Sequence, residues 1–281
     1  MSRKLFCQLG PWAYRLSAEK EILRRRIQDL GQGPFAQERR QEPLPALIYG
    51  HKSLIRRRLG QVDMELQENK AVNLALAAPR VNGVLIQPGQ TFSFWRLVGR
   101  CTARRGYKTG MTISGGRPGQ GVGGGMCQFT NLIHWMALHS PLTVLERHHH
   151  DSLDLFPDFG RQVPFGVGTS IAYNYLDYRL RNDADQPFQL LTWVEGAYLC
   201  GQLRALRLPP EKYHIRVQDE YFLRQGGALY RCNTILRRRT DRKTGRWQEE
   251  VLMRNKARTL YDETYIDPAQ IRQEEQTKTE E

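Results

Sequence analysis

No run of this 281-residue chain is long and apolar enough to span a bilayer. The first 26 residues, MSRKLFCQLGPWAYRLSAEKEILRRR, lack the apolar stretch of a secretory signal. The expected location is the cytoplasm, with peripheral contact at the inner membrane face as an alternative. Cysteine is sparse: Cys7, Cys101, Cys127, Cys200 and Cys232, with no CxxC pair. An odd number without such a pair argues against a disulfide scaffold or a structural zinc cluster. No segment repeats and no nucleic-acid-binding motif is present, so no nucleic-acid partner is expected. Acidic residues are also outnumbered. The formal net charge of +13 favours an acidic partner, such as anionic lipid headgroups, nucleic acid or an anionic cell-wall polymer, and charge alone does not choose among them.

What the chain does have is a β-rich texture with a few helical segments. From Ser17 to Leu30 the spacing of Leu23, Ile27 and Leu30 predicts an amphipathic helix with Arg24, Arg25 and Arg26 on its polar face. That helix reads as a docking or solvated element, with a membrane-surface role as the sharper alternative. A second helical stretch is expected over Leu54–Leu59. Asn69–Ala78 reads as a helix ended by Pro79. Val84–Ile86 and Thr91–Trp95 read as short strands, with Phe92, Phe94 and Trp95 as core or as a groove for a sugar chain. Residues 99–125 show little periodicity and read as loop.

Leu132, Trp135, Met136 and His139 then share one helical face, and Ser140-Pro141 ends the helix. Leu142–His150 and Tyr173–Leu180 read as strands. A meander follows through Gly196, and three basic strand-like segments run from His214 to Arg254. The fold class is α+β: a mainly antiparallel sheet, a helix packed on it that starts at the glycine-rich loop, and an N-terminal helical segment. The expected divisions are a basic N-terminal segment (1–64), a central domain (65–208), a basic β-rich extension (209–258) and an acidic flexible tail (259–281).

The most distinctive stretch is GQGVGGGMCQ, in which Cys127 sits at the start of a helix behind Gly123, Gly124 and Gly125. A helix N-terminus favours the thiolate. On an extended strand His148 and His150 point one way and His149 the other. An imidazole beside Cys127, oriented by Asp177 on a neighbouring strand, would suit nucleophilic attack on an amide or peptide carbonyl. As an enzyme the chain would be a thiol-dependent amide or peptide hydrolase or acyltransferase. The Gly123–Met126 backbone or the Gln128 amide could supply oxyanion donors.

The plainer readings are a packed cysteine, a solvated histidine run and an Asp177 ion pair with Arg179 or Arg147. A zinc site from Cys127, His148 and His150 lacks standard ligand spacing, so no metal is expected. Gly119, Gly121 and Gly124 fit GxGxxG. No strand precedes them and no Lys-Ser/Thr follows, so no nucleotide cofactor is expected.

Four segments carry a family resemblance: QPGQTFSFWRLVG, GVGGGMCQFTNLIHWMAL, LTVLERHHH and GRQVPFGVGTSIAYNYLDYRLRN. Together they resemble the VanW family over roughly residues 65–205. The resemblance implies an association with glycopeptide-resistance clusters or cell-wall metabolism, without implying a mechanism. It implies family positions at Gly123, Gly124, Gly125, Cys127 and Gln128, at Arg147 and His150, and at Asp177, Arg179, Arg181 and Asn182. Many relatives carry a proline where this chain has His149. The partner so implied is a peptidoglycan precursor. A non-catalytic module for anionic cell-wall polymer or membrane surface is the alternative.

Overall fold

A computed structural model describes residues 6, 9–57, 63–114, 117–149, 153–157 and 161–274. In chain order the elements are α1 (Pro11–Leu30), β1 (Ala46–Leu54), α2 (Met64–Val81), β2 (Val84–Ile86), β3 (Thr91–Ser93) and α3 (Phe94–Val98). Then come β4 (Thr109–Ser114), β5 (Arg117–Val122), α4 (Met126–Leu138), β6 (Thr143–Glu146), β7 (Leu153–Asp154) and β8 (Arg179–Arg181). The chain ends in β9 (Phe188–Glu195), β10 (Tyr198–Ala205), β11 (Glu211–Gln225), β12 (Ala228–Asp241), β13 (Trp247–Thr259) and β14 (Ile271–Gln273). Helices on mostly antiparallel sheets make the α+β class expected from the sequence. No helix among the described residues is long and apolar enough to cross a membrane.

The central sheet has strand order β1-β10-β9-β2, all antiparallel. Helices α2 and α4 cover it and bury Leu74, Ala77, Val81, Phe129, Leu132, Ile133 and Met136 against Leu190, Leu199 and Leu203. A second sheet, β14-β11-β12-β13-β7, packs on the far side of α4 through Trp135, Leu138, Val167, Ile215 and Ile235. Helix α4 therefore lies between two sheets. Its buried surface is wider than the single apolar face seen in the sequence, because a helix covered on both sides needs apolar residues around most of its girth. A third sheet, β3-β8-β6, brings the ends of β6 and β8 together under α1.

Several expectations need correction. The segment from Leu54 is not helical: β1 ends there, and Ile55–Arg57 continue without helix. Helix α2 runs past Pro79 to Val81, and the Arg39 guanidinium takes the carbonyls of Pro79 and Arg80 at its end. Residues 109–114 and 117–122, read as loop, pair as the antiparallel strands β4 and β5, whose glycines hide the alternation a strand normally shows. In the alternating Tyr173–Leu180 segment, residues 173–175 form a turn closed by an Ala172–Leu176 bridge, with Asn174 in the left-handed region (φ 56°), and only Arg179 and Leu180 lie in a strand. Strand β6 stops at Glu146, so Arg147–His149 lie beyond it. Phe92, Phe94 and Trp95 are core, and Trp95 donates its indole N–H to the Leu176 carbonyl.

Helix α1 turns its apolar spacing outward. Ala13, Ile22 and Asp29 face inward, whereas Leu23, Ile27 and Leu30 are exposed. Ion pairs supply much of the inward contact: Arg25 with Glu146, and Asp29 with Arg179. The basic strands β11–β13 also spend much of their charge on neighbours, through Arg237–Glu250, Arg238–Glu249 and Arg231–Glu220.

Candidate functional site

The glycines before α4 are needed for space. Gly125 is the N-cap of α4 with φ 103°, and a Cβ there would lie 2.3 Å from Cγ of Lys70. A Cβ on Gly124 would lie 2.3 Å from the Gly110 carbonyl carbon. Gly123 donates its N–H to the Lys108 carbonyl, and Asn73 on α2 donates to the Gly124 carbonyl. The loop is thus pressed between α2 and the β4–β5 pair. Burial, with Arg57 and Arg56 nearby, brings the Lys70 ammonium down to about 8.

Cys127 follows one residue into α4. Burial pushes its thiol above the ordinary range, although the Ile171 N–H points to the sulfur. The thiol form dominates at neutral pH, so the helix terminus does not offset desolvation here. Cys127, Thr130, Asn131 and His134 occupy offsets 0, 3, 4 and 7, a polar stripe on α4 whose i, i+3, i+4, i+7 spacing is legible in the sequence. The 166–171 loop docks on this stripe. Thr169 donates its N–H to Asn131 Oδ1 at 2.7 Å, and its hydroxyl lies 2.6 Å from that of Thr130. Arg147 holds the same loop by donating to the carbonyls of Gly166 and Gly168. The His149 ring lies against Gly168, where a Cβ would be 3.2 Å from Nε2. His134 is buried, with Nδ1 2.9 Å from the Tyr178 hydroxyl and Nε2 without a hydrogen-bond partner among the described residues. Burial, with Arg147 and His149 nearby, lowers its pKa well below the usual histidine value.

The other predicted residues go elsewhere. His148 Nε2 lies 2.9 Å from Glu146, on the side facing α1. His150 lies outside the described residues. Asp177 is fully buried and accepts hydrogen bonds from the Ser93 hydroxyl, the Trp95 and Tyr178 N–H groups and Arg179 Nε. That is the structural ion pair weighed in the sequence. Gln128 donates its amide to the Ser53 hydroxyl and the Leu54 carbonyl, tying α4 to β1. Asn182 donates to the carbonyls of Ile86 and Gln186 and accepts from the Ala184 N–H, which fixes the turn after β8. Among the described residues no group of three or more His, Cys, Asp or Glu could hold a metal ion.

A second locus, missed in the sequence, lies where α1 crosses the β3-β8-β6 sheet. A cavity of about 420 Å³ opens there, lined by Arg25, Gln32, Thr91, Glu146, Arg179 and Arg181 among others. Glu146 is its hub. It accepts two 2.7 Å hydrogen bonds from Arg25 and one of 2.8 Å from the Asp177 N–H. Burial works to raise this carboxyl, but those bonds and His148 bring it below the usual range. Arg179 reaches Asp29 and Asp177. Arg181 is half-exposed and pairs with Asp183. The lining therefore presents three guanidiniums and one carboxylate.

The family description "VanW like protein" matches residues 69–204. Vancomycin B-type resistance protein VanW of Enterococcus faecalis is 34% identical over 228 residues, 81% of this chain and 82% of its own length. The chain belongs to the VanW family. A second relative, uncharacterized protein YoaR of Bacillus subtilis, is 28% identical over 166 residues, and the match spans 52% of that protein. No solved structure matches. The VanW region takes in α4, the 166–171 loop, Glu146, Arg179 and Arg181, so it contains the Cys127 stripe and most of the cavity wall. Arg25 and Gln32 come from outside it, on and just after α1.

Proposed function

We propose that this chain serves in glycopeptide resistance, as the name of its enterococcal relative indicates for that protein, by binding anionic cell-wall material. The single observation that carries the reading is a cavity wall where three guanidiniums gather, Arg25 and Arg179 held by buried carboxylates and Arg181 half-exposed beside the exposed Asp183, where an anion can reach it. Guanidinium forks match the planar oxygens of carboxylates and the oxygens of phosphates, so the bound group is an anion of a peptidoglycan precursor or wall polymer. Arg25 and Arg179 are oriented by Glu146 and Asp29, and Arg181 stands at the exposed side where a ligand would enter.

A second reading keeps Cys127 as an acyl-transfer nucleophile acting on an amide. The Ile171 N–H on the sulfur favours it, and the raised thiol pKa weighs against it. The test is vancomycin susceptibility in a strain from which the gene has been deleted. Complementation by the native chain and by Cys127→Ala, with failure of Arg181→Gln, supports binding. Full complementation by Arg181→Gln, with failure of Cys127→Ala, overturns it in favour of the thiol.

A further inference from the structure

Helix α1 carries its apolar side chains on the wrong face for a helix that only packs on its own protein. Of its Trp, Leu and Ile residues only Ile22 is buried. Trp12, Leu16, Leu23, Ile27 and Leu30 are between 58% and 86% exposed. At 3.6 residues per turn they fall within an arc of about 60° along the length of the helix. The opposite face holds the helix to the protein through Arg25–Glu146 and Asp29–Arg179, with Ala13 and Ile22 buried between.

Basic residues border the stripe on both sides. Arg15 and Arg26 flank one edge, and Lys20 and Arg24 the other. All four are exposed, and Arg15, Lys20 and Arg26 have no ion-pair partner among the described residues. Glu19, the acidic residue at the edge of the stripe, is bound to Arg100 at 2.6 Å. Phe6 and Leu9, just before the helix, are exposed as well.

We infer that the outward face of α1 docks on an anionic lipid surface. An apolar stripe bordered by cations suits a helix lying in the plane of the headgroups, its apolar side chains in the acyl boundary and its cations on the lipid phosphates. The inward ion pairs hold the helix against the folded body while the outward face remains free to insert. A membrane surface fits better than a second copy of the chain, because a self-facing stripe would bring the two sets of bordering cations together. The inference does not depend on what the cavity binds.

The full chain is tested by cosedimentation with vesicles of equal parts phosphatidylglycerol and phosphatidylcholine, and with phosphatidylcholine alone. Binding to the anionic vesicles, with a blue shift of tryptophan fluorescence, is expected. Trp12→Ala is expected to remove that shift. Leu23→Asp and Ile27→Asp, both at exposed positions, are expected to weaken binding about tenfold each while the circular dichroism spectrum is unchanged. Absence of binding to anionic vesicles at low salt overturns the inference. So does equal binding by Ile27→Asp, or a dimer in solution that Ile27→Asp dissociates and vesicles do not.

Discussion

Arg25 on α1 and Glu146 at the end of β6 meet through two parallel hydrogen bonds of 2.7 Å, across 121 positions of sequence. This pair joins the N-terminal helix to the VanW region and closes one wall of the cavity. Both side chains are mostly buried. Removing either partner strands a charge that water reaches poorly. Arg25→Ala and Glu146→Ala are each expected to lower unfolding free energy by about 2–3 kcal/mol, below the range for fully buried pairs. Urea denaturation of both single variants and the double variant checks this. The double variant should lose clearly less than the sum of the singles.

The glycine loop before α4 gives a steric prediction. Gly125→Ala places a methyl on Lys70 in a backbone conformation that L-residues avoid, and Gly124→Ala drives one into the Gly110 backbone. Each is expected to cost about 3 kcal/mol or more, visible as a lower melting temperature. Gly89→Ala, where a Cβ meets nothing within 4 Å, is the control for a positive φ alone.

Cys127 is expected to react slowly with iodoacetamide at neutral pH and faster as pH rises, because burial holds it as the thiol. Mass spectrometry of labelled peptides, against the same protein in urea, reads the difference. Fast, saturating modification of native Cys127 at pH 7 would support the nucleophile reading.

Acid lability has an identifiable source in His139. Its ring stacks on Tyr49 with centroids 3.8 Å apart and hydrogen-bonds the Trp135 carbonyl, and burial brings its pKa down to about 4. The unfolded chain takes up this proton near pH 6.5 and the folded chain only near pH 4. Stability is therefore full above about pH 6.5 and declines as pH falls toward 4, by about 3 kcal/mol for this group. His139→Gln should flatten the profile of urea midpoints between pH 7 and 5, and an unchanged slope would assign the lability elsewhere.

The start of α4, the position of Cys127 on it, and the strands β9 to β13 were legible, because a glycine-rich start, a proline stop and clear turns mark their ends. The β4–β5 pair was not, since its glycine-rich strands carry few side chains to alternate. Helix α1 was legible as a helix but not in its facing. Periodicity locates an apolar stripe and cannot say whether the fold or something outside it covers that stripe. Within the site, Asp177 and Arg179 could be read as a pair. The cavity depends on Arg25, Glu146 and Arg181 from three separate elements, and no local spacing joins them.

The arginine-lined cavity, and not the thiol, is proposed to engage anionic cell-wall material. Calorimetric titration of the full chain with teichoic acid and with soluble peptidoglycan fragments tests it directly. Arg181 is half-exposed and its Asp183 partner lies at the surface, so Arg181→Gln should leave the fold intact. Salt-sensitive binding is expected, unchanged in Cys127→Ala and weakened by about tenfold in Arg181→Gln. Binding that Arg181→Gln leaves intact, or that Cys127→Ala abolishes, would contradict it.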